Sequence, residues 1–293
     1  MRKAIIFGIT GQDGYYLNKL LKNNGIEVIG VSRTNTKWIT GDIADCDFVN
    51  NLIEWQQPEY VFQFAANSTM HHGALYENHA AITTGTINLL EAIKNYCPTT
   101  KLFIPGSALQ FKISDEPINE NTPFHADSPY ALARINSVYA TRYFREQFNI
   151  KAYIGYFFHH DSPLRSERHV NQKIAQAVRR IGEGSDEKLI LGDITVRKEF
   201  NFAGDIMEAI WIMINQNNIF EAVIGSGETY SIEQYLQYCF DLIGKKWQDY
   251  VEIDKSFISP HQCIASDPKL LKSLGWRPAI NLKTLAKMMI FNQ

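Results

Sequence analysis

The chain has 293 residues and a mass of 33.5 kDa, with 45% hydrophobic and 20% charged residues. This composition is that of an ordinary globular protein, and it excludes an intrinsically disordered chain and a small disulfide-stabilised scaffold. The 29 basic residues nearly balance the 31 acidic residues, and the resulting net charge of −2 gives no electrostatic surface for nucleic acid or an anionic membrane. At about 150 residues per domain, the length predicts two lobes.

The 4 cysteines are widely separated, and no pair has the Cys-x-x-Cys spacing of a zinc or redox motif. Reduced thiols are typical of a cytosolic protein. The apolar run at residues 4–8 is too short for a signal peptide, and no apolar run has the length of a transmembrane helix. We therefore expect a cytoplasmic protein with no membrane or nucleic-acid partner.

The chain begins with a strand–helix–strand pattern. Residues 4–8 form a compact apolar run that predicts a buried strand, and residues 15–23 carry leucines at helical spacing. A second strand is predicted at residues 27–31, which completes one βαβ unit. A third short strand is expected to end near Ile39.

The same alternation continues to the middle of the chain. Further strands are predicted at residues 60–65, 101–105 and 151–158, with helices at 80–96 and 128–147. Strands that alternate with helices predict an α/β fold with a doubly wound parallel sheet.

The character of the chain changes after residue 158. Residues 159–169 are polar and irregular, and a helix predicted at residues 172–181 is followed by shorter elements. We place a first domain at residues 1–158 and a second, smaller lobe at residues 159–293, with some later segments free to return to the first lobe.

Gly8, Gly11 and Gly14 have the spacing Gly-x-x-Gly-x-x-Gly between the first strand and the first helix. Glycine permits the tight turn and lets the backbone approach a pyrophosphate, which binds the N–H groups at the start of the helix. Because strand, turn, helix and second strand follow in that order, the pattern predicts a dinucleotide site and not a purely structural turn.

The end of the second strand discriminates between NAD and NADP. An acidic residue there would accept a hydrogen bond from the ribose 2′-OH of NAD. Residues 31–34 contain no carboxylate but include Arg33, whose guanidinium suits a 2′-phosphate, so NADP is favoured. The alternative is a solvated Arg33. Asp42, after the third strand, is expected either at the adenine edge or as a helix cap.

A tyrosine and a basic residue lie four positions apart near the start of the long helix. Positions i and i+4 share a helix face, so Tyr130 and Arg134 can face one site. A phenol of ordinary pKa, about 10, needs a nearby cation to exchange protons near neutrality. Ser107 follows a predicted strand and offers a hydroxyl to the reacting oxygen. Taken alone, however, Tyr-x-x-x-Arg is a common helical pattern.

Together with the glycine turn, these residues resemble the extended short-chain dehydrogenase/reductase family, most closely its GDP-mannose 4,6-dehydratases and GDP-4-keto-6-deoxymannose reductases. The similarity covers essentially the whole chain. It is carried by residues 8–14, 64–68, 122–124, 128–131, 158–163, 191–192, 225–228, 267–268 and 274–278. It implies a Rossmann fold with a smaller C-terminal substrate-binding lobe, NADP as the cofactor, and a sugar nucleotide between the lobes with Tyr130 at the sugar 4-hydroxyl.

The resemblance also implies residue roles. Catalysis is assigned to Ser107, Tyr130 and Arg134, and substrate contacts to Ser107, His159 and Val170. The implied cofactor contacts are Gly8, Thr10, Gly11, Gln12, Asp13, Gly14, Arg33, Asp42, Ile43, Phe64, Ala65, Ala66, Asn67, Ser68, Tyr130, Arg134, His160 and Arg165.

A homodimer is implied as well, because the family pairs its long helix with a neighbouring helix across a subunit interface. Ile135, Val138 and Tyr139 are the expected contacts. No metal site is predicted, since the histidine pairs at residues 71–72 and 159–160 are adjacent and lack the i,i+4 spacing of two ligands on one helix face.

Three departures from the family pattern bear on the reaction. The family's lysine is Arg134 here, a planar fork in place of a compact ammonium. The dehydratase glutamate, which handles the C5 proton and assists loss of water from C6, is replaced by Leu109, and leucine has no acid–base chemistry. His159 stands where asparagine is frequent, and the family's nucleotide-contacting Arg-Pro is not matched around residues 257–260.

Ser107 and Tyr130 remain while the carboxylate is lost, which favours simple redox chemistry. The leading hypothesis is an NADP(H)-dependent oxidoreductase acting at hexose C4 of a sugar nucleotide, expected to be GDP-linked, by 4-keto reduction or 4-hydroxyl oxidation. One alternative is a GDP-mannose 4,6-dehydratase that recruits another acid, for instance Asp161 or Glu199. Another is a catalytically silent NADP-binding partner protein.

Overall fold

The computed structural model describes residues 2–34, 37–66, 68–257, 259 and 261–292. Its strands up to residue 158 are β1 (Lys3–Phe7), β2 (Glu27–Ser32), β3 (Ile39–Thr40), β4 (Tyr60–Gln63), β5 (Lys101–Ser107) and β6 (Ala152–Phe157). The later strands are β7 (His160–Asp161), β8 (Leu189–Leu191), β9 (Arg197–Glu199), β10 (Asn201–Phe202), β11 (Glu221–Ile224), β12 (Thr229–Ser231), β13 (Val251–Ile253) and β14 (Cys263–Ile264).

The helices alternate with these strands. Those up to residue 158 are α1 (Gln12–Asn23), α2 (Cys46–Gln56), α3 (Leu75–Asn78), α4 (Gly85–Tyr96) and α5 (Pro129–Phe148). The later helices are α6 (Val170–Gly182), α7 (Ala203–Ile214), α8 (Ile232–Asp241), α9 (Lys269–Ser273) and α10 (Leu282–Phe291). Within the described part of the chain, no helix is both long and apolar enough to cross a membrane.

A seven-stranded parallel sheet in the order β11-β6-β5-β4-β1-β2-β3 forms the centre of the fold. Along β1, Ala4 and Ile6 belong to the core beneath α1 and α7, whereas Ile5 and Phe7 belong to the core beneath α2 and α4. Successive strand residues point to opposite faces, so both faces of the sheet are covered. The predicted doubly wound α/β fold is confirmed.

The segments after β6 are divided between this sheet and a separate core. Strand β11 pairs with β6, and α7 packs against the same sheet. Helices α6, α8 and α10 instead bury Ile174, Leu236 and Met289 in a second apolar cluster. The same part of the chain, after β6, also forms three small sheets, β12-β9-β14, β13-β8 and β10-β7. The second core lies beside the carboxyl end of the large sheet, where β7 follows directly after β6.

The long helix α5 begins and ends at recognisable signals. The Ser128 hydroxyl accepts a hydrogen bond from the Ala131 backbone N–H at 3.2 Å, Pro129 occupies the first turn, and Asn149 ends the helix at φ 56°. Val138 of this helix is fully buried against Ile154 and Tyr156. The prediction that Val138 contacts a partner subunit is therefore wrong, because its side chain is used inside the chain.

Candidate active site

Two adjoining cavities open at the carboxyl ends of the parallel strands. The first, here called the turn cavity, has a volume of about 260 Å³ and is lined by the loops after β1, β2, β3 and β4. The second, the tyrosine cavity, has a volume of about 470 Å³ and lies between α5 and the segment around β7. Phe64 and Ala66 line both cavities, so the two spaces meet. This position, where the strand order reverses between β1 and β4, is where doubly wound sheets bind ligands.

The glycine turn forms one wall of the turn cavity. A Cβ atom at Gly8, whose φ is +84°, would lie 2.7 Å from the Phe64 carbonyl carbon, and one at Gly14 would lie 2.5 Å from the Gly8 oxygen. Gly11, the residue before α1, provides no side-chain cap. The first N–H groups of α1 are thus available to an anion at the helix start, where the helix dipole also favours negative charge.

The far end of the turn cavity is formed by the residues after β2 and β3. Ser32, Arg33 and Thr34 line it, and the Ser32 and Thr34 hydroxyls are 3.1 Å apart. Arg33 lies 3.7 Å from the Glu77 carboxylate in an exposed ion pair. This corner therefore combines one guanidinium with two hydroxyl groups.

Asp42 also lines the turn cavity, but it does not cap a helix. The cap of α2 is Asp45, whose carboxylate accepts a hydrogen bond from the Phe48 N–H at 3.1 Å. Asp42 accepts instead from the Ala44 N–H at 2.9 Å. The alternative that Asp42 caps the next helix is wrong.

Tyr130 and Arg134 are joined directly on the wall of the tyrosine cavity. The Arg134 Nε–H donates to the Tyr130 hydroxyl at 3.2 Å, and an Nη–H donates to the Pro105 carbonyl at 2.7 Å. Both side chains are more than nine-tenths buried. Because a guanidinium only donates, the phenol oxygen accepts from Arg134 and its own hydrogen remains available to a group in the cavity.

Ser107 and Leu109 line the same cavity. The Ser107 hydroxyl oxygen accepts from the Leu109 N–H at 3.2 Å, and the Gln110 side chain accepts from the Ser107 N–H at 2.9 Å. These bonds fix the serine and leave its O–H free to donate. Leu109 packs beside Tyr130 and Ile82, so the cavity is apolar at this point.

Asp13 and His160 connect the glycine turn to β7. The His160 Nε2 atom lies 3.0 Å from Asp13 Oδ1, and Nδ1 lies 2.9 Å from the Phe158 carbonyl oxygen. Both partners only accept, so both ring nitrogens donate. Burial disfavours the imidazolium, but the Asp13 carboxylate raises the pKa of His160 above its ordinary value. The Ser162 hydroxyl also donates to Gln12 at 2.9 Å, which strengthens the same connection.

The polar end of the tyrosine cavity surrounds a buried carboxylate. Asp161 is fully buried, 2.7 Å from His159 Nε2 and 3.5 Å from Arg165 Nε. Burial opposes its ionisation, but His159, Lys198 and Arg165 hold the pKa of Asp161 well below its ordinary range. Burial itself lowers the pKa of Lys198 to about 8. His169 completes this end, with Nδ1 3.3 Å from an Arg165 nitrogen. The two cations, Arg165 and Lys198, outnumber the Asp161 carboxylate, so this end of the cavity carries a net positive charge.

Most of the predicted site residues reach one of the two cavities. The turn cavity receives Gly8, Thr10, Gly11, Arg33, Asp42, Ile43, Phe64, Ala65 and Ala66. The tyrosine cavity receives Asp13, Phe64, Ala66, Ser68, Ser107, Tyr130, Arg134, His159, His160 and Arg165.

The other predicted residues lie elsewhere. Gly14 packs beneath the turn, and Gln12 bonds to the segment after β7. Val170 begins α6 and packs against the second apolar core, so the structure does not bring it to either cavity. The predicted contact at Asn67 lies outside the described residues.

Sequence reasoning missed Lys198 and His169, which line the tyrosine cavity. Lys198 lies on β9, far along the chain from the catalytic motif, and a single lysine in a polar stretch carries no local signal. His169 stands in the polar, irregular segment at residues 159–169, where the family resemblance assigns roles to His159, His160 and Arg165 but not to His169. Met70 and Ile264 add apolar surface to the tyrosine cavity. Their position there could not be predicted either, because it depends on the topology of the chain.

A doubly wound sheet, a glycine turn at its switch point and a Tyr-x-x-x-Arg pair in the adjoining cavity define a member of the extended short-chain dehydrogenase/reductase class. Residues 5–289 match the family model of GDP-mannose 4,6 dehydratase. GDP-mannose 4,6 dehydratase 2 of Arabidopsis thaliana is 32% identical over 318 residues, which cover 98% of this chain and 85% of the relative. The human GDP-mannose 4,6 dehydratase is 27% identical over 334 residues, covering 98% and 90%. The chain therefore belongs to the GDP-mannose 4,6-dehydratase family.

Solved structures share the fold. RMD from Pseudomonas aeruginosa, complexed with NADPH, superposes with a TM-score of 0.86 at 18% identity and covers 100% of this chain and 98% of that one. UDP-glucose 4-epimerase from Thermotoga maritima, with UDP-glucose, gives a TM-score of 0.87 at 18% identity, covering 99% and 97%. At this identity the likeness establishes the architecture alone.

Proposed function

We propose that this chain is an NADP(H)-dependent enzyme that acts at C4 of a GDP-linked hexose, by 4-keto reduction or 4-hydroxyl oxidation. One observation carries the proposal. Tyr130, Arg134 and Ser107 are assembled in the tyrosine cavity, whereas Leu109 makes the wall apolar where the family's dehydratases carry their glutamate. The proposal therefore rests both on the presence of Tyr130 and Ser107 and on the absence of the dehydratase glutamate.

The turn cavity, together with the adjoining tyrosine cavity, would hold a nicotinamide dinucleotide. Its backbone passes so close to Gly8 that any Cβ atom would clash, and the uncapped start of α1 offers N–H groups to a pyrophosphate. Arg33, Ser32 and Thr34 would hold a 2′-phosphate. The cofactor supplies or accepts the hydride when it is bound. The complex of RMD with NADPH supports this choice of cofactor.

The chain's own residues perform the proton transfer at the sugar oxygen. In the reducing direction Tyr130 donates its phenolic proton to the C4 oxygen, and in the oxidising direction it receives that proton. Ser107 donates a hydrogen bond to the same oxygen. Arg134, held by the Pro105 carbonyl, keeps the phenol in place and stabilises the negative charge that the phenol develops.

Dehydration needs a further base at C5 and an acid for the C6 hydroxyl. Of the two carboxylates considered as replacements, Glu199 is fully buried, and its oxygens accept from the backbone and hydroxyl groups of Ser226 and Ser266. It does not line the tyrosine cavity. The Asp161 carboxylate is also fully buried. Neither carboxylate lines the tyrosine cavity, so neither is placed to protonate the departing C6 hydroxyl, which supports redox chemistry without loss of water.

The substrate is tested with a panel of GDP-, UDP-, CDP- and dTDP-linked hexoses and their 4-keto forms, each incubated with NADP⁺ or NADPH and followed by mass spectrometry. We expect turnover of a GDP-linked sugar, with a mass change of one hydride and one proton. Tight NADP(H) binding with no turnover of any member would contradict the proposal and favour a catalytically silent binding protein.

Arg33→Ala is expected to weaken NADP(H) binding selectively. A hydrogen bond to a charged group contributes about 1.5–3 kcal/mol, so the Kd for NADPH should rise by roughly 10- to 100-fold while that for NADH stays unchanged. Calorimetric titration of the cofactor-free protein measures both. Lys19→Ala, which removes an exposed cation from α1, is the matched control. Equal affinities of the wild type for NADPH and NADH would contradict the assignment.

A homodimer through α5 is the expected assembly. Leu132, Tyr139 and Tyr143 are exposed apolar side chains at spacings that place them along one face of this helix. Leu132→Glu combined with Tyr143→Glu should convert a dimer into a monomer in light scattering at micromolar concentration. Trp55→Glu, at a still more exposed position on α2, should leave the dimer intact. A monomeric wild type would refute the dimer.

A further inference from the structure

His159 and Asp161 form a histidine–carboxylate pair in the tyrosine cavity. The two side chains meet at 2.7 Å between His159 Nε2 and Asp161 Oδ2. The Asn171 amide nitrogen also lies 2.9 Å from Nε2, but this amide donates its hydrogen to Asp161 Oδ2. Because the ionised Asp161 carboxylate only accepts hydrogen bonds, the Nε2 atom carries the hydrogen. The other ring nitrogen, Nδ1, then has its lone pair free in the neutral imidazole.

Further side chains hold the Asp161 carboxylate of this pair in place. Asp161 is fully buried, and its Oδ2 atom accepts a second hydrogen bond from the Asn171 amide at 2.5 Å, while Arg165 lies beside the other oxygen. His159 itself keeps about 25% of its side chain exposed and lines the cavity with Tyr130. Across the described residues, the Nδ1 atom of His159 makes no hydrogen bond. It is also not one of the solvent-inaccessible polar atoms that lack a hydrogen-bond partner. It is therefore open to a ligand.

The imidazole is in the form that accepts a proton. Burial lowers the pKa of His159 to about 4 despite the opposing effect of Asp161, so the ring is neutral at pH 7. Lys198 and Arg165 also disfavour its protonation. A sugar nucleotide brings a diphosphate whose charge would offset these cations, and the basicity of His159 would rise when the substrate binds.

We propose that His159, oriented by Asp161, is a second acid–base group that moves a proton to and from a carbon next to the C4 carbonyl of the sugar. This inference rests on the proposed function and extends it. His159 would be a catalytic residue, and Asp161 a positioning residue that fixes the tautomer and stabilises the imidazolium.

The step balances without any further reagent. Nδ1 takes the hydrogen from C3 or C5 as a proton, the C–H electron pair becomes a C=C bond to C4, and the carbonyl π electrons move to the C4 oxygen. Tyr130 and Ser107 donate to that oxygen and stabilise the enolate. Return of a proton from His159 to the same carbon restores the ketone. The net result is proton exchange at this carbon.

The test uses GDP-4-keto-6-deoxymannose as the probe in deuterated buffer, with NADPH added to half of the samples. Deuterium incorporation at C3 or C5 is followed by NMR and mass spectrometry, and hydride transfer by loss of NADPH absorbance. We expect the wild type to incorporate deuterium well above the rate without protein. The ratio of deuterium incorporation to hydride transfer should fall by roughly 10²–10⁴ in His159→Asn.

Asp161→Asn should lower the same ratio by a smaller factor, because the imidazole remains but loses its orientation. A merely structural role for Asp161 would instead lower both rates together and reduce Tm. His72→Asn, which removes an exposed histidine outside both cavities, is the control and should match the wild type.

The two readouts separate this inference from the proposed function. Hydride transfer with no deuterium incorporation by the wild type would overturn the role of His159 and leave the proposed function standing. Deuterium incorporation that His159→Asn does not reduce would overturn it equally. Incorporation that depends on His159, without hydride transfer, would support the pair and contradict the proposed redox function. The absence of both signals would contradict both proposals.

Discussion

Tyr130→Phe is expected to lower kcat by roughly 10²–10⁴, the range that a positioned general acid–base group contributes. The substitution removes the hydroxyl that accepts from Arg134 at 3.2 Å and carries the proton for the C4 oxygen, but it keeps the aromatic ring that packs against Ile82 and Ala133. Steady-state and single-turnover rates with NADPH and the 4-keto substrate measure the effect.

The controls for this prediction separate chemistry from binding. The Kd for NADPH and the Tm of Tyr130→Phe should remain close to those of the wild type. Arg134→Lys keeps the positive charge and should retain more activity than Arg134→Met, which leaves the Pro105 carbonyl without its donor. Near-normal turnover by Tyr130→Phe would remove this residue from the mechanism.

Leu109→Glu is expected to create dehydratase activity that the wild type lacks. Leu109 lies in the tyrosine cavity against Tyr130, so a carboxylate built there would face the sugar. A missing acid–base group costs about 3–5 kcal/mol, and its restoration can raise the dehydration rate by up to roughly 10²–10⁴. Formation of GDP-4-keto-6-deoxymannose from GDP-mannose and NADP⁺ is the measurement.

Leu109→Gln is the matched control, because the amide has nearly the size of glutamate but cannot protonate the departing C6 hydroxyl. It should remain as inactive in dehydration as the wild type. Equal dehydratase rates in Leu109→Gln and Leu109→Glu would show that the effect comes from polarity and not from acid–base chemistry. No gain in Leu109→Glu, with its fold and NADPH binding intact, would contradict this explanation of the lost activity.

The features that could be predicted from the sequence depend on local spacing. The glycine turn needs three glycines between a strand and a helix, and the Tyr130–Arg134 contact needs only the i,i+4 geometry of a helix. Each of these two patterns lies within a few consecutive residues of the sequence. The strand–helix alternation likewise follows from short apolar runs, which is why the order of the central elements was predictable.

The features that escaped prediction depend on tertiary packing. Val138 has the helical spacing of a surface contact, but the sheet face that covers it comes from β6, and it is fully buried. Asp45 and not Asp42 caps α2, because the exact start of a helix is set by the chain around it. Asp161 was a reasonable acid from its sequence, yet the fold places it behind His159. Lys198 reaches the cavity only through β9.

The most direct test of hydride exchange at C4 without dehydration follows GDP-4-keto-6-deoxymannose and GDP-mannose with the same protein preparation. NADPH that carries deuterium at its transferable position should deliver the label to C4 of the 4-keto sugar, and GDP-mannose with NADP⁺ should give no product that has lost water. Efficient conversion of GDP-mannose into GDP-4-keto-6-deoxymannose by the wild type would contradict the account and establish a dehydratase that works without a carboxylate at position 109.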